Sequence, residues 1–424
     1  MNFLRLSFLS FIFIVGIQTS CSQDNTSSER QNPFNGLAKT INQYKNTIGN
    51  TVQNIKKLGY PVEDHQVQTQ DGFILTIHRV RHNKVASGKP LLLLPGLSCS
   101  AMIFIRWTNS IGLFLADQGY DVWFGNSRGD IRYSKHIRYT FHDSEFWDFS
   151  WEELGYYDNS ATIDYILNNT NYNQMILVTY SVATISSFAL LSVNPEYNDK
   201  VATHVTLAPM TIVPYQTSVV MSLFMIHYDI LQSWYNGLFD KAKFNHRIMN
   251  MVTMHFWPAM CLTFGHSFCK FAMALFLGYS PGSYDENIAV IAYDLSSGVS
   301  FKTFLHILQQ IEYKEMRRYS YGEDENIKRY GTKIPPAFNM SQVTSPTVLI
   351  SGINDPGSNP INSEMISRKM PQAKRIILDK TMFTHCDFVW STDTEIRDYI
   401  NQKILENINT VTLNPNNNNS GNFT

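Results

Sequence analysis

The chain has 424 residues, long for one ordinary core and close to the upper limit for one domain with a large insertion. Hydrophobic residues make up 44% and charged residues 16%, which excludes a mainly disordered chain. Lys plus Arg (34) against Asp plus Glu (35) leaves a formal charge of -1, so nothing draws the molecule to polyanions and no nucleic-acid partner is expected. The 27 Phe, 22 Tyr and 16 Met can fill a large core and still line an apolar site.

Residues 1–22 read as a secretory signal peptide: Arg5 is positive, residues 6–17 are almost wholly apolar, and small residues follow at Thr19, Ser20, Cys21 and Ser22. At about 1.5 Å per residue that apolar run is too short to span a bilayer of roughly 30 Å. Residues 23–45 are an N-terminal extension. No later stretch is an unbroken apolar run of spanning length; the nearest, 221–231, is interrupted by Ser222, His227 and Asp229. No transmembrane span is expected in the mature chain. Glycosylation sequons stand at Asn25, Asn168 and Asn339, with two more at Asn418 and Asn422 in the tail.

From residue 46 to 208, short apolar or β-branched runs alternate with helix-like segments. The runs are 73–80, 91–94, 121–124, 175–178 and 201–207. Several lack period-two alternation, the mark of strands buried on both faces of a parallel sheet. The pattern predicts an α/β fold with helices on both faces of a mostly parallel sheet. Residues 209–343 break the alternation. They are rich in Met, Phe and Tyr, show helical patterning at 244–256 and 300–313, and read as a helical cap inserted in the core. Residues 344–410 return to the core with strands at 347–350 and 375–378. Residues 411–424 are an Asn-rich tail predicted to be disordered, with six Asn from Asn414 to Thr424.

Thr179-Tyr180-Ser181-Val182-Ala183 follows one apolar strand and leads into a helical stretch. A serine at such a turn is the nucleophile-elbow arrangement, with backbone N–H groups of the next helix facing a developing oxyanion. The usual G-x-S-x-G has lost both glycines, to Thr179 and Ala183. A helix-capping serine at a strand end gives the same pentapeptide, so this signal is weak alone.

A serine nucleophile needs a base and an acid, in chain order Ser, Asp, His. Asp355 follows the 347–350 run and His385 follows the 375–378 run, which puts both at the carboxyl edge of the sheet where such sites form. Asp387 competes as the acid, but two residues from His385 it turns back awkwardly, and it reads better as the cap of a helix starting near Phe388. Cys386 reads as a buried small residue. A second oxyanion donor belongs after an early strand. Leu94-Pro95-Gly96-Leu97 supplies it: Pro95 has no N–H, Gly96 permits close approach, and the N–H of Leu97 pairs with that of Val182. Cys261 and Cys269 are close enough to close a small disulfide loop, which secretion permits. No CxxC, HExxH or Gly-rich dinucleotide loop occurs, so neither metal nor cofactor is expected.

Longer stretches carry a family likeness: Gly59-Tyr60-Pro61, TQDGFIL at 69–75, LFLADQGYDVWFGNSRG at 113–129, EFWDFSWEE at 145–153, Tyr157-Asp158, and His385 with Asp387, Phe388 and Trp390. From about Gly59 to Asn407 the chain resembles the acid lipases of the lysosomal and gastric type. The resemblance implies an α/β hydrolase with a cap or lid at 209–343. It aligns Ser181 with the nucleophile, Asp355 with the acid, His385 with the base, and Leu97 and Val182 with the oxyanion donors. It also implies an acyl-enzyme route acting on triacylglycerols or steryl esters, cap contact with lipid surfaces, and a secreted or lysosomal location. Cys261 and Cys269 lie near the family's cap disulfide, one residue closer together. The departures gather at the site: Thr-Tyr-Ser-Val-Ala replaces Gly-His-Ser-x-Gly, and Pro95-Gly96 replaces His-Gly. They keep two rivals in view, a catalytically silent lipid-binding protein and a short-chain esterase or acyltransferase.

Overall fold

A computed structural model describes residues 50–81, 88–233, 235, 261, 264–280, 283, 288–380, 382–413 and 415. The leader and its Cys21, the extension at 23–45, Asn25, the 244–256 segment and most of the Asn-rich tail lie outside the described residues.

The strands are β1 (Val62–Gln68), β2 (Phe73–Val80), β3 (Pro90–Leu94), β4 (Asp121–Phe124), β5 (Ser134–His136), β6 (Met175–Tyr180), β7 (Val201–Leu207), β8 (Thr347–Gly352) and β9 (Lys374–Leu378). They form one sheet in the order β1-β2-β4-β3-β6-β7-β8-β9, with β5 added beside β2. From β4 through β9 along that path every pair is parallel; β1, β2 and β5 join antiparallel. β3 and β6 are buried along their whole length, which is why their sequences read as apolar runs.

The pleat divides each run between two cores. Leu91, Leu93, Ile176, Val178, Val205 and Leu207 face one side, with Ile400, Ile404 and Ile408 of helix Thr394–Ile408. Leu92, Leu94, Met175, Leu177 and Leu349 face the other, with Ile185 and Phe188 of helix Ala183–Val193.

Two strands were not anticipated. β1 (VEDHQVQ) is an edge strand with one face to solvent, so most of its residues are polar, and β5 is only three residues long. β6 and β8 each run two residues beyond their apolar stretches.

Between β7 and β8 the described elements are helices, among them Val219–Ile226, Tyr228–Ser233, His266–Leu277, Ile288–Asp294, Phe301–Tyr313 and Glu323–Tyr330. The 221–231 run divides at His227, the C-cap of one helix, just before the next begins. Ser300 caps helix Phe301–Tyr313 by accepting from the N–H of Lys302. Cys261 and Cys269 are joined in a disulfide with Cα atoms 4.7 Å apart. No helix among the described residues is long and apolar enough to cross a membrane.

Candidate active site

β6 ends at Tyr180 and a helix begins at Ala183, so the chain must reverse within two residues. Ser181 takes the turn in the left-handed region, at φ 58°. A side chain there costs of order 1–3 kcal/mol and persists only where the surroundings fix it. They do so with backbone bonds on both sides. The Ser181 N–H donates to the carbonyl of Leu207 at 2.9 Å, and its own carbonyl accepts from Thr184 at 3.0 Å and Met210 at 3.3 Å.

The hydroxyl of Thr179, where the elbow usually has glycine, is accommodated by hydrogen bonding. Thr179 is fully buried, with its hydroxyl 3.0 Å from that of Thr184 and 2.9 Å from Nε2 of His204. Burial pushes the His204 imidazole down to about 3, so it stays neutral beneath the elbow. The carbonyl of Ala183 accepts from the hydroxyls of Ser186 (3.0 Å) and Ser187 (2.8 Å) in the first turn of the helix.

β3 delivers the neighbouring loop. A Cβ on Gly96 would lie 3.0 Å from Cβ of Ser181, so any side chain there would crowd the nucleophile. Leu97 and Val182 come to line the same cavity, with Phe149, Leu154 and Val299 among its other walls.

Asp355 and His385 arrive on the loops after β8 and β9. Oδ1 of Asp355 accepts from the N–H groups of Gly357 and Ser358, both at 2.8 Å, which turns Oδ2 outward. Nδ1 of His385 lies 2.8 Å from that Oδ2, and its Nε2 lies 2.9 Å from Oγ of Ser181. With Nδ1–H donating to the carboxylate, Nε2 accepts the serine proton. Asp355 is 1% exposed, and Ser181 and His385 are each 6% exposed. Segments far apart in sequence thus meet in one hydrogen-bonded line.

Asp387 is not the helix cap that its position suggested. It lies inside the short helix Asp387–Trp390, which has Cys386 at its cap position and no side-chain cap bond. Its carboxylate turns back to accept from the N–H of Thr384 at 2.7 Å and from the hydroxyls of Ser280 and Ser283, the latter at 2.9 Å. Those serines belong to the inserted segment, so Asp387 ties the insertion to the loop that carries His385. No spacing signal could have linked residues 104 and 107 apart. Cys386 and Cys99 are buried thiols outside the disulfide. Among the described residues no cluster of His, Cys, Asp or Glu could hold a metal ion.

Residues 51–107 match the family model for the partial alpha/beta-hydrolase lipase region. The chain is 31% identical to Lipase 1 of Drosophila melanogaster over 365 residues, covering 83% of this chain and 78% of that one. It belongs to that lipase family. Lipase member M and the gastric triacylglycerol lipase, both of Homo sapiens, are each 30% identical and cover 81% of this chain, with 82% and 87% of their own lengths matched. This lipase is accordingly a carboxylic ester hydrolase with the α/β hydrolase fold.

Proposed function

We propose that the protein hydrolyses esters of neutral lipids, triacylglycerols or steryl esters, through Ser181, His385 and Asp355. The observation that carries this is the Asp355–His385–Ser181 hydrogen-bonded line at the strained end of β6. His385 takes the Ser181 proton at Nε2 while Oγ attacks the ester carbonyl. Asp355 holds the tautomer and stabilises the imidazolium. The N–H groups of Leu97 and Val182 receive the oxyanion, and loss of one such donor costs about 3–4 kcal/mol of barrier. His385 then returns the proton to the departing alcohol, leaving an acyl-Ser181. Water, deprotonated by His385, releases the fatty acid and restores the serine.

Support for a lipid ester comes from the gastric triacylglycerol lipases among the relatives and from the cap surface. Val219, Leu223 and Ile226 form an exposed stripe along one helix, and Phe268 and Phe271 are exposed on the adjacent one. Ser218 ties the two helices by donating to the carbonyl of Leu275. An exposed apolar patch of this kind suits transient contact with a lipid interface. The apolar leader, the Cys261–Cys269 disulfide and the exposed sequons Asn168 and Asn339 support a secretory route to the lysosome or the exterior, with glycans at those two sites and at Asn25.

A fluorophosphonate probe tests the reading. The wild-type protein should be labelled and Ser181→Ala should not, with turnover falling by about 10⁴- to 10⁶-fold at unchanged folding. Folded wild-type protein that neither labels nor turns over esters would sink this reading and leave the catalytically silent lipid-binding protein. A chain-length series separates the remaining rival: preference for short water-soluble esters would defeat the lipase assignment.

A further inference from the structure

Tyr180 stands where the family's elbow carries histidine. It is the last residue of β6 and immediately precedes Ser181. Its side chain, 1% exposed, runs under the site toward the loop after β9. The phenol donates to the backbone carbonyl of His385 at 3.0 Å. The ring centroid lies 5.2 Å from the His385 imidazole, and Trp390 closes the far side edge-on at 6.3 Å. On the near side, a Cβ on Gly96 would meet Cδ1 and Cε1 of Tyr180 at 3.1 and 3.3 Å. One ring therefore fills the space between the Gly96-Leu97 loop and the His385 loop, while its backbone leads into Ser181.

The two ring nitrogens of His385 are fixed by Asp355 and Ser181, but those bonds alone leave the backbone of a long connecting loop to hold the imidazole in register. A buried phenol needs a partner, and so does a buried carbonyl. Each satisfies the other here. Burial raises the phenol well above its ordinary range, so it remains a donor at any pH at which the enzyme works.

We propose that Tyr180 is a positioning residue for His385, holding the loop and ring of the base in line with Ser181 and Asp355 through its O–H bond to the His385 carbonyl. The inference rests on the proposed roles of Ser181 and His385.

The test uses Tyr180→Phe in the full-length chain, which keeps the ring and removes the O–H. Losing one buried hydrogen bond should lower kcat on a soluble ester by about five- to tenfold, with KM held within about twofold. Fluorophosphonate labelling should slow in parallel. A variant with wild-type kcat and a wild-type labelling rate overturns the proposal, even if it melts earlier, because packing alone would then explain Tyr180. Should Tyr180→Phe fail to fold, Tyr180→Met, which also lacks a donor, is measured under the same criteria. Wild-type labelling that survives Ser181→Ala would instead mean that the underlying site assignment has failed.

Discussion

Two helices of this lipase exchange the roles that their sequences suggest. Helix Ala183–Val193 (ATISSFALLSV) carries a threonine and three serines, yet every residue from Ala183 to Leu191 is buried. Helix Val219–Ile226 (VVMSLFMI) has one polar residue and buries only Met221. The first can be buried because its hydroxyls have partners: Thr184 on Thr179, Ser186 and Ser187 on the Ala183 carbonyl. The second packs Phe224 and Met225 partly against the core but leaves Val219, Leu223 and Ile226 exposed along its outer side. Apolar content alone does not decide burial, and an apolar stripe left exposed on a half-packed helix suggests a surface with a use. On the proposed function, the division is one of chemistry in the core and lipid contact on the inserted helices.

The sharpest way to break that division lies in the core. Asp355→Asn should cost about 10⁴-fold in kcat, because the amide no longer holds the correct imidazole tautomer. Asp387→Asn is the matched control, since Asp387 bonds Thr384 and the cap serines and not His385. A loss larger for Asp387 than for Asp355 in steady-state kinetics would reverse the two roles.

A middle-sized effect belongs to the junction. Glu152 is buried between the core and the helices leading out of the cap, where one oxygen accepts from the N–H of Tyr319 at 2.8 Å. Burial, aided by the charge of Glu153, pushes its carboxyl up to about 7 against the partial opposition of the Tyr319 N–H, Arg318 and Lys302. His306, 3.9 Å away, is itself pushed down to about 3 by burial and is neutral, and the Tyr156 phenol also faces the carboxylate. The folded state therefore binds this proton more tightly than the unfolded one. Its contribution is fully present below about pH 4.5 and fades as pH rises through 7. Glu152→Gln keeps the acceptor and removes the titration. Relative to this variant, the wild type should lose on the order of 3 kcal/mol between pH 4.5 and 7.5 in thermal unfolding. An equal difference at both pH values would show that Glu152 does not titrate there.

The smallest expected effect is on the cap surface. Leu223→Ser with Phe271→Ser should leave folding within about 0.5 kcal/mol per site. It should lower hydrolysis of an emulsified long-chain ester severalfold while sparing a short soluble one. Equal losses on both substrates would place these residues in the chemistry and not at the interface.

Much of this was legible in the sequence. Leu91 to Leu94 and Met175 to Val178 announce doubly buried strands, and the order Ser181, Asp355, His385 after successive strands points to one edge of the sheet. β1 was missed because an edge strand with a wet face keeps Glu63, Asp64, His65 and Gln66. Asp387 was misread because its partners, Ser280 and Ser283, come from another part of the chain.

The length that first suggested one domain with an insertion resolves as a sheet interrupted between β7 and β8. Local chemistry sufficed for the strand runs, the turn at Ser181 and the chain order of the candidate residues, because these depend on neighbours in sequence. Only the tertiary structure decided that Thr179 can stand where a glycine usually does. The reason is spatial: the hydroxyl of Thr179 finds His204 on the adjacent strand β7, and Gly96 leaves room for Ser181 from the other side. Hydrogen bonds between strands, which sequence spacing does not reveal, hold this elbow in shape.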